Sequence, residues 1–175
     1  MTVRQAEPGD GERLAVIHVA SWQATYRGIF PDRFLDAMDP TERVEAWRRR
    51  IGHPDVAVLL VEDGGEPVGF ASLGPAEERA EQPVGELYAI YLLPGTWRRG
   101  LGRRLLEEAE RLLAVRYPEA ILWVLEANSR ARRFYEACGW IPDGGTRTEP
   151  IFGANPLLIR YRKTLRQRPA SHEEA

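Results

Sequence analysis

Four arginines, Arg98, Arg99, Arg103 and Arg104, crowd two glycines, Gly100 and Gly102, within the stretch LYAIYLLPGTWRRGLGRRLLEEAERLL from Leu87 to Leu113. A buried apolar run precedes Pro94-Gly95 and an amphipathic run follows Gly102, so the stretch reads as strand, tight turn and helix. That order presents a row of backbone N–H groups at a helix N-terminus, where a phosphate can be held. A plain turn would use the glycines for positive φ. It would not need the arginines, because like charges at a helix start add to the positive pole of the macrodipole. An anion in the turn offsets that repulsion. The pattern is not a dinucleotide fingerprint, since Leu105 stands where the third glycine belongs, and it lacks the Gly-Lys-Ser/Thr end of a P-loop.

Other candidate chemistry is sparse. Glu86 opens the strand leading into the turn, and Glu126 stands at the C-terminal end of the following strand. A carboxylate serves as a general base where burial raises its pKa; an exposed strand-end carboxylate is the alternative. Trp22 and Tyr26 are four residues apart and share a face if the first helix continues that far. With Arg27 and Trp47 they suggest an aromatic pocket suited to an amine or cation, or equally a packed core. His18, His53 and His172 show no ligand spacing, so no metal site is expected. Cys138, beside Gly139-Trp140, reads as a small core residue. Gly69-Phe70-Ala71-Ser72-Leu73-Gly74 is not a Gly-x-Ser-x-Gly nucleophile elbow.

Composition narrows the class. A chain of 175 residues with 43% hydrophobic residues fills one core. We read residues 1–166 as one domain and residues 167–175 as a polar tail. A net charge of −2 gives no reason to expect a nucleic-acid or membrane partner. No apolar run approaches the ~20 residues of a membrane span, and MTVRQAEPGDGERL has no apolar signal region. The single cysteine excludes an internal disulfide and fits a reducing cytoplasm. Lys163 is the only lysine.

These residues need elements to hold them. Val3–Gln5 reads as a short strand, and Asp10 as the cap of a helix reaching at least Ser21, with Gly28 and Pro31 as breakers. Short helices follow over Asp32–Met38 and from Thr41, the latter carrying Val44, Trp47 and Ile51 on one side. Val56–Val61 and Pro67–Leu73 flank Asp63-Gly64-Gly65 as a hairpin. Gly74–Pro83 reads as an exposed acidic loop and Val84–Leu93 as a strand. A helix over Leu101–Tyr117 buries Leu101, Leu105, Leu106, Ala109, Leu112 and Leu113, with Arg104–Glu108 and Glu107–Arg111 as outer pairs. Ala120–Leu125 is a further buried strand, Ser129 caps a short helix to Ala137, and strands near Thr146–Phe152 and Leu157–Thr164 end the fold. The order β-α-α-α-β-β-β-α-β-α-β-β predicts an α/β (α+β) fold with a mixed sheet flanked by helices on both faces.

At this point the sequence resembles the GCN5-related N-acetyltransferase (GNAT) family, over nearly the whole domain from Val3 to Leu165. Trp97-Arg98-Arg99-Gly100-Leu101-Gly102 matches the family's Gln/Arg-x-x-Gly-x-Gly/Ala loop except that Trp97 stands where Gln or Arg is usual. LWVLEANSRARRFYEACGW resembles the family's next strand and helix. The resemblance implies a mostly antiparallel sheet whose two segments splay to admit the pantetheine arm of acetyl-CoA. Backbone groups of Ile90, Tyr91, Leu92, Arg98, Arg99, Gly100, Leu101, Gly102 and Arg103 would hold that cosubstrate. Asn128 would bond the pantetheine amide. By the same resemblance Glu86 is the candidate base, with Glu126 as runner-up, and Tyr135 the candidate acid toward the departing thiolate. Trp22, Tyr26, Arg27 and Trp47 come from the region that lines the acceptor site.

The expectation is an acetyl-CoA-dependent N-acetyltransferase acting by direct transfer to a primary amine, on a small molecule or a peptide. A catalytically silent acetyl-CoA-binding module is the alternative. Family members often dimerise, so a homodimer is an open expectation.

Overall fold

The computed structural model describes residues 1–77 and 82–165; the expected tail 167–175 and residues 78–81 of the expected acidic loop lie outside the described residues. Seven strands make one sheet in the order β1-β2-β3-β4-β5-β7-β6. In chain order they are β1 (Thr2–Gln5), β2 (Ala57–Asp63), β3 (Glu66–Pro75), β4 (Gly85–Leu92), β5 (Glu119–Leu125), β6 (Ile141–Thr148) and β7 (Leu157–Thr164). Only the β4–β5 pair is parallel; the other neighbours run antiparallel. The helices are α1 (Gly11–Tyr26), α2 (Asp32–Asp36), α3 (Val44–Ile51), α4 (Leu101–Leu113) and α5 (Ser129–Ala137). The mixed, mostly antiparallel architecture is the one expected.

The continuous apolar run of β2 is explained by burial on both faces. Leu59 and Val61 pack under α4, with Leu101, Leu105, Leu106, Ala109 and Leu113 above them. Val58 and Leu60 face the other way, with Phe70, onto Leu14, Ile17 and Trp47 of α1 and α3. Each fully buried leucine of α4 contributes about 2–3 kcal/mol of apolar burial. The sheet is thereby fixed from both sides, and the central strands that form the site are carried on a rigid frame.

Several boundaries differ from the sequence reading. Helix α1 runs on to Tyr26, which keeps Trp22 and Tyr26 on one helical face. The segment before α3 is capped by Asp39, whose side chain accepts from the Thr41 N–H at 2.8 Å, rather than by Thr41. Helix α4 stops at Leu113 because Tyr117 precedes Pro118, which disfavours the helical conformation. Leu112 is 38% exposed and leaves the buried stripe. On the outer face of α4 the ion pair formed is Arg111–Glu108, one turn apart. Asn128, not Ser129, caps α5. Strand β6 starts at Ile141 and runs through the Gly-rich segment with a register shift between Pro142 and Thr146.

Candidate active site

The site is made by a strand pair that comes apart. β4 pairs with β5 at Gly85, Glu86 and Leu87 only, although β4 runs on to Leu92 and β5 to Leu125. Within the β3–β4 ladder, Ser72 opposes Ala89 and Leu73 opposes Leu87, so Tyr88 is an extra residue, a bulge. Beyond it the two strands diverge and leave a cavity of about 1530 Å³. The expected splay of the two segments is present, and the bulge kinks β4 where it begins.

One wall is the turn between β4 and α4. Pro94–Thr96 forms a single 3₁₀ turn, closed by Thr96 Oγ1 and the Thr96 N–H, which donate to Leu93 O at 2.7 and 3.0 Å. Arg98 adopts φ 62°, and Gly100, at φ 81°, is the N-cap of α4. The first backbone bond into the helix is from Arg104 N–H to Gly100 O at 3.1 Å. The N–H groups of residues 98–103 thus have no backbone acceptor among the described residues. Arg98, Gly100, Gly102 and Arg103 line the cavity with Arg130 and Arg133 of α5. None of these four arginines has a carboxylate partner among the described residues. Free amides at a helix start and uncompensated cations are the chemistry of a diphosphate site. Two predicted loop residues turn their side chains elsewhere. Arg99 pairs with Asp63 at 2.7 Å, and Leu101, 2% exposed, belongs to the core.

The opposite wall is α5. Asn128 is 8% exposed, and its Oδ1 accepts from the Ala131 N–H at 3.1 Å. The carboxamide therefore caps the helix while its NH₂ group stays available to a ligand carbonyl. Tyr135, also 8% exposed, lines the cavity with Phe134. Burial pushes the Tyr135 phenol well above its ordinary pKa, with the neighbouring Tyr26 adding to the effect. Cys138 is half-buried, its thiol is pushed up by burial, and it is not on the cavity wall.

The third wall is aromatic. Trp22 and Tyr26 meet edge to face at 4.8 Å, Trp47 meets Phe70 at 4.7 Å, and Tyr91 lies against all but Trp47 of these rings. His18 stacks on Tyr91 at 5.9 Å and 13° and touches Trp22 and Trp47. Its Nδ1 is buried without a hydrogen-bond partner. Burial, and then the charge of Arg43, lower its pKa to about 4. Sequence reasoning missed His18, although its place four residues before Trp22 puts it on the same face of α1. Arg27 is not brought into this wall; it is exposed and pairs with Asp32 and Asp36 at 3.2 and 2.6 Å.

Glu86 is half-buried on the cavity wall, in the company of Ser72, Tyr88 and Arg50. Arg50 of α3 donates from Nε to Ser72 Oγ at 2.7 Å and lies over the Tyr88 ring at 4.7 Å. Burial, and then the charge of Glu86, push the Tyr88 phenol up to about 12. Glu126 is exposed and off the wall. Ile90, Tyr91 and Leu92 line the diverging part of β4. No cluster of three or more His, Cys, Asp or Glu that could hold a metal occurs among the described residues.

The acetyltransferase (GNAT) family matches residues 19–140, about two thirds of the chain, including the residues described on the three walls except His18. The chain belongs to the GNAT acetyltransferase family. It is an acetyltransferase, and acetyl-CoA is its cosubstrate. The GNAT chain is 39% identical over 139 residues to an uncharacterized N-acetyltransferase, YuaI, of Bacillus subtilis, covering 78% of each chain. It is 31% identical over 163 residues to the probable N-acetyltransferase Rv2775 of Mycobacterium tuberculosis, covering 91% of each. Its fold also matches that of yncA of Salmonella typhimurium, solved with its cofactor acetyl-CoA, with a TM-score of 0.68, 21% identity and 99% of each chain covered. Among the described residues of this GNAT enzyme, no helix is long and apolar enough to cross a membrane.

Proposed function

We propose that this acetyltransferase moves the acetyl group of acetyl-CoA directly onto a primary amine of a small molecule or a peptide, with Glu86 as general base and Tyr135 as general acid. The observation that carries the reading is the position of Tyr135. Its buried phenol is kept protonated by its surroundings and stands on the wall of the opening between β4 and β5.

The roles follow from that arrangement. Amides of residues 98–103, with Arg98 and Arg103, hold the diphosphate, and the Asn128 NH₂ donates to the pantetheine arm. Acetyl-CoA supplies an activated thioester carbonyl between β4 and α5. The aromatic wall orients the amine, and Glu86 takes its proton through water. The amine nitrogen bonds the carbonyl carbon; backbone N–H groups along Ile90–Leu92 meet the negative charge that builds on oxygen. As the C–S bond breaks, Tyr135 gives its proton to the thiolate, and bulk water returns the proton taken by Glu86 to the phenol. Direct transfer is favoured over an acetyl-enzyme because Cys138 is off the wall with a raised thiol pKa.

Thiol release from acetyl-CoA across a panel of amines and peptides tests the reading. We expect turnover with at least one amine, and Glu86→Gln and Tyr135→Phe to lower it by ~10²–10⁴ with CoA binding retained. Unchanged rates in both variants would remove the roles assigned here.

A further inference from the structure

We propose that Arg130, stacked on the Trp97 indole, is a further side-chain cation that grips the coenzyme diphosphate in this protein beside Arg98 and Arg103, with Trp97 as its positioning residue. The inference rests on acetyl-CoA occupying the 98–103 turn, as above. Its starting point is the one position at which the turn departs from the family pattern. Trp97 can offer a phosphate neither the guanidinium nor the amide that Arg or Gln would.

The indole is instead used twice. Its Nε1–H donates to Leu92 O at 2.9 Å, tying the turn to the end of β4. Its face carries the Arg130 guanidinium, whose carbon lies 3.3 Å from the ring centroid. Trp97 and Arg130 belong to the two arms that diverge below them, so the stack spans the mouth of the cleft. Arg130 makes no hydrogen bond or ion pair among the described residues. Partial burial, and then the like charge of Arg98, disfavour its charged form. Two cations held together beside free helix-start amides are costly unless an anion sits between them. A planar guanidinium stacked on an aromatic ring keeps its N–H edge free for two phosphate oxygens. The polar side chain missing from the first position of the turn is thus replaced from α5, and a bound diphosphate would be gripped by both arms at once.

Titration calorimetry with CoA, and with pantetheine as the phosphate-free probe, tests this. We expect Arg130→Ala to raise the CoA Kd at least tenfold and to leave the pantetheine Kd within twofold. Trp97→Ala should do the same, Trp97→Phe should recover most of the loss, and the double variant should be no worse than Arg130→Ala alone. An Arg130→Ala protein that binds CoA within twofold of the parent would overturn the proposal, as would additive losses in the double variant. A parent protein that fails to bind CoA would overturn the cofactor reading beneath it.

Discussion

The hydroxyls of Tyr26 and Tyr91 lie 2.8 Å apart and join helix α1 to the diverging half of strand β4. Burial is the first cause raising both phenols above their ordinary range, so neither ionises near neutral pH. The bond fixes the aromatic wall against the strand proposed to offer backbone groups to the acetyl end. Removing one hydroxyl leaves the other buried and unpaired, which costs about 1–3 kcal/mol, whereas removing both is close to neutral. Tyr26→Phe and Tyr91→Phe should each lower the denaturation midpoint, and the double variant should recover much of the loss. Chemical denaturation of the three variants checks this.

His18 sets a pH dependence of stability. Its folded-state pKa, about 4, lies below the unfolded value of ~6.5. The unfolded chain therefore binds an extra proton between these values, and this contribution to stability is present above pH ~6.5 and is lost as pH falls toward 4. The loss between pH 7.5 and 4.5 is on the order of 2 kcal/mol. The drop measured in the parent should be smaller by about that amount in His18→Gln, with the other titrating groups common to both.

Lys163 is the one lysine in a chain otherwise supplied with arginine, and it has a defined place. Its Nζ donates to Glu110 Oε2 and to Cys138 O, both at 2.7 Å, while Trp140 Nε1 donates to Glu110 Oε1 at 2.8 Å. The network pins α4 to β7 and to the turn after α5. Lys163→Met leaves Glu110 short of its charged partner, at a cost of about 1–3 kcal/mol. The melting temperature should fall by ~3–10 °C, with the CoA Kd unchanged.

The two carboxylates weighed as base occupy different environments. Glu86 is on the cavity wall; Glu126 is exposed and off it. Glu126→Gln should keep acetyl transfer within about twofold of the parent, since surface changes away from a site perturb little. A loss approaching that of Glu86→Gln in the thiol-release assay would exchange their roles.

What was legible in the sequence was local. Apolar runs, the hairpin glycines and the Gly-Arg turn gave the element order, and the spacing of Trp22 and Tyr26 correctly set them on one face. Capping was read one residue off at Asn128 because two adjacent polar residues both suit an N-cap, and only the accepted Ala131 N–H decides between them. His18 was passed over because its neighbours Tyr91, Trp47 and Phe70 arrive from other elements. Arg130 stood outside the turn's sequence pattern for the same reason: its contact with Trp97 exists only once α5 has folded back across the cleft. Arg27, adjacent to Tyr26 in sequence, lies past the end of α1 and follows the carboxylates of α2 instead.

The extra residue at Tyr88 does more than bend a strand. Leu87, Ile90 and Leu92 pack with the α4 core, while Ala89 and Tyr91 pack with the α1 and α3 core. A strand of strict alternation would put Leu87, Ala89 and Tyr91 on one side together. Tyr88 thus works as a phase inverter: the segment before it and the segment after it are read with opposite parity. Delete that single residue and every side chain beyond it changes sides, sending Tyr91 toward the α4 core and Ile90 toward the α1 and α3 core. Which rings of β4 join the aromatic wall is written in the count of residues along the strand as much as in their identity.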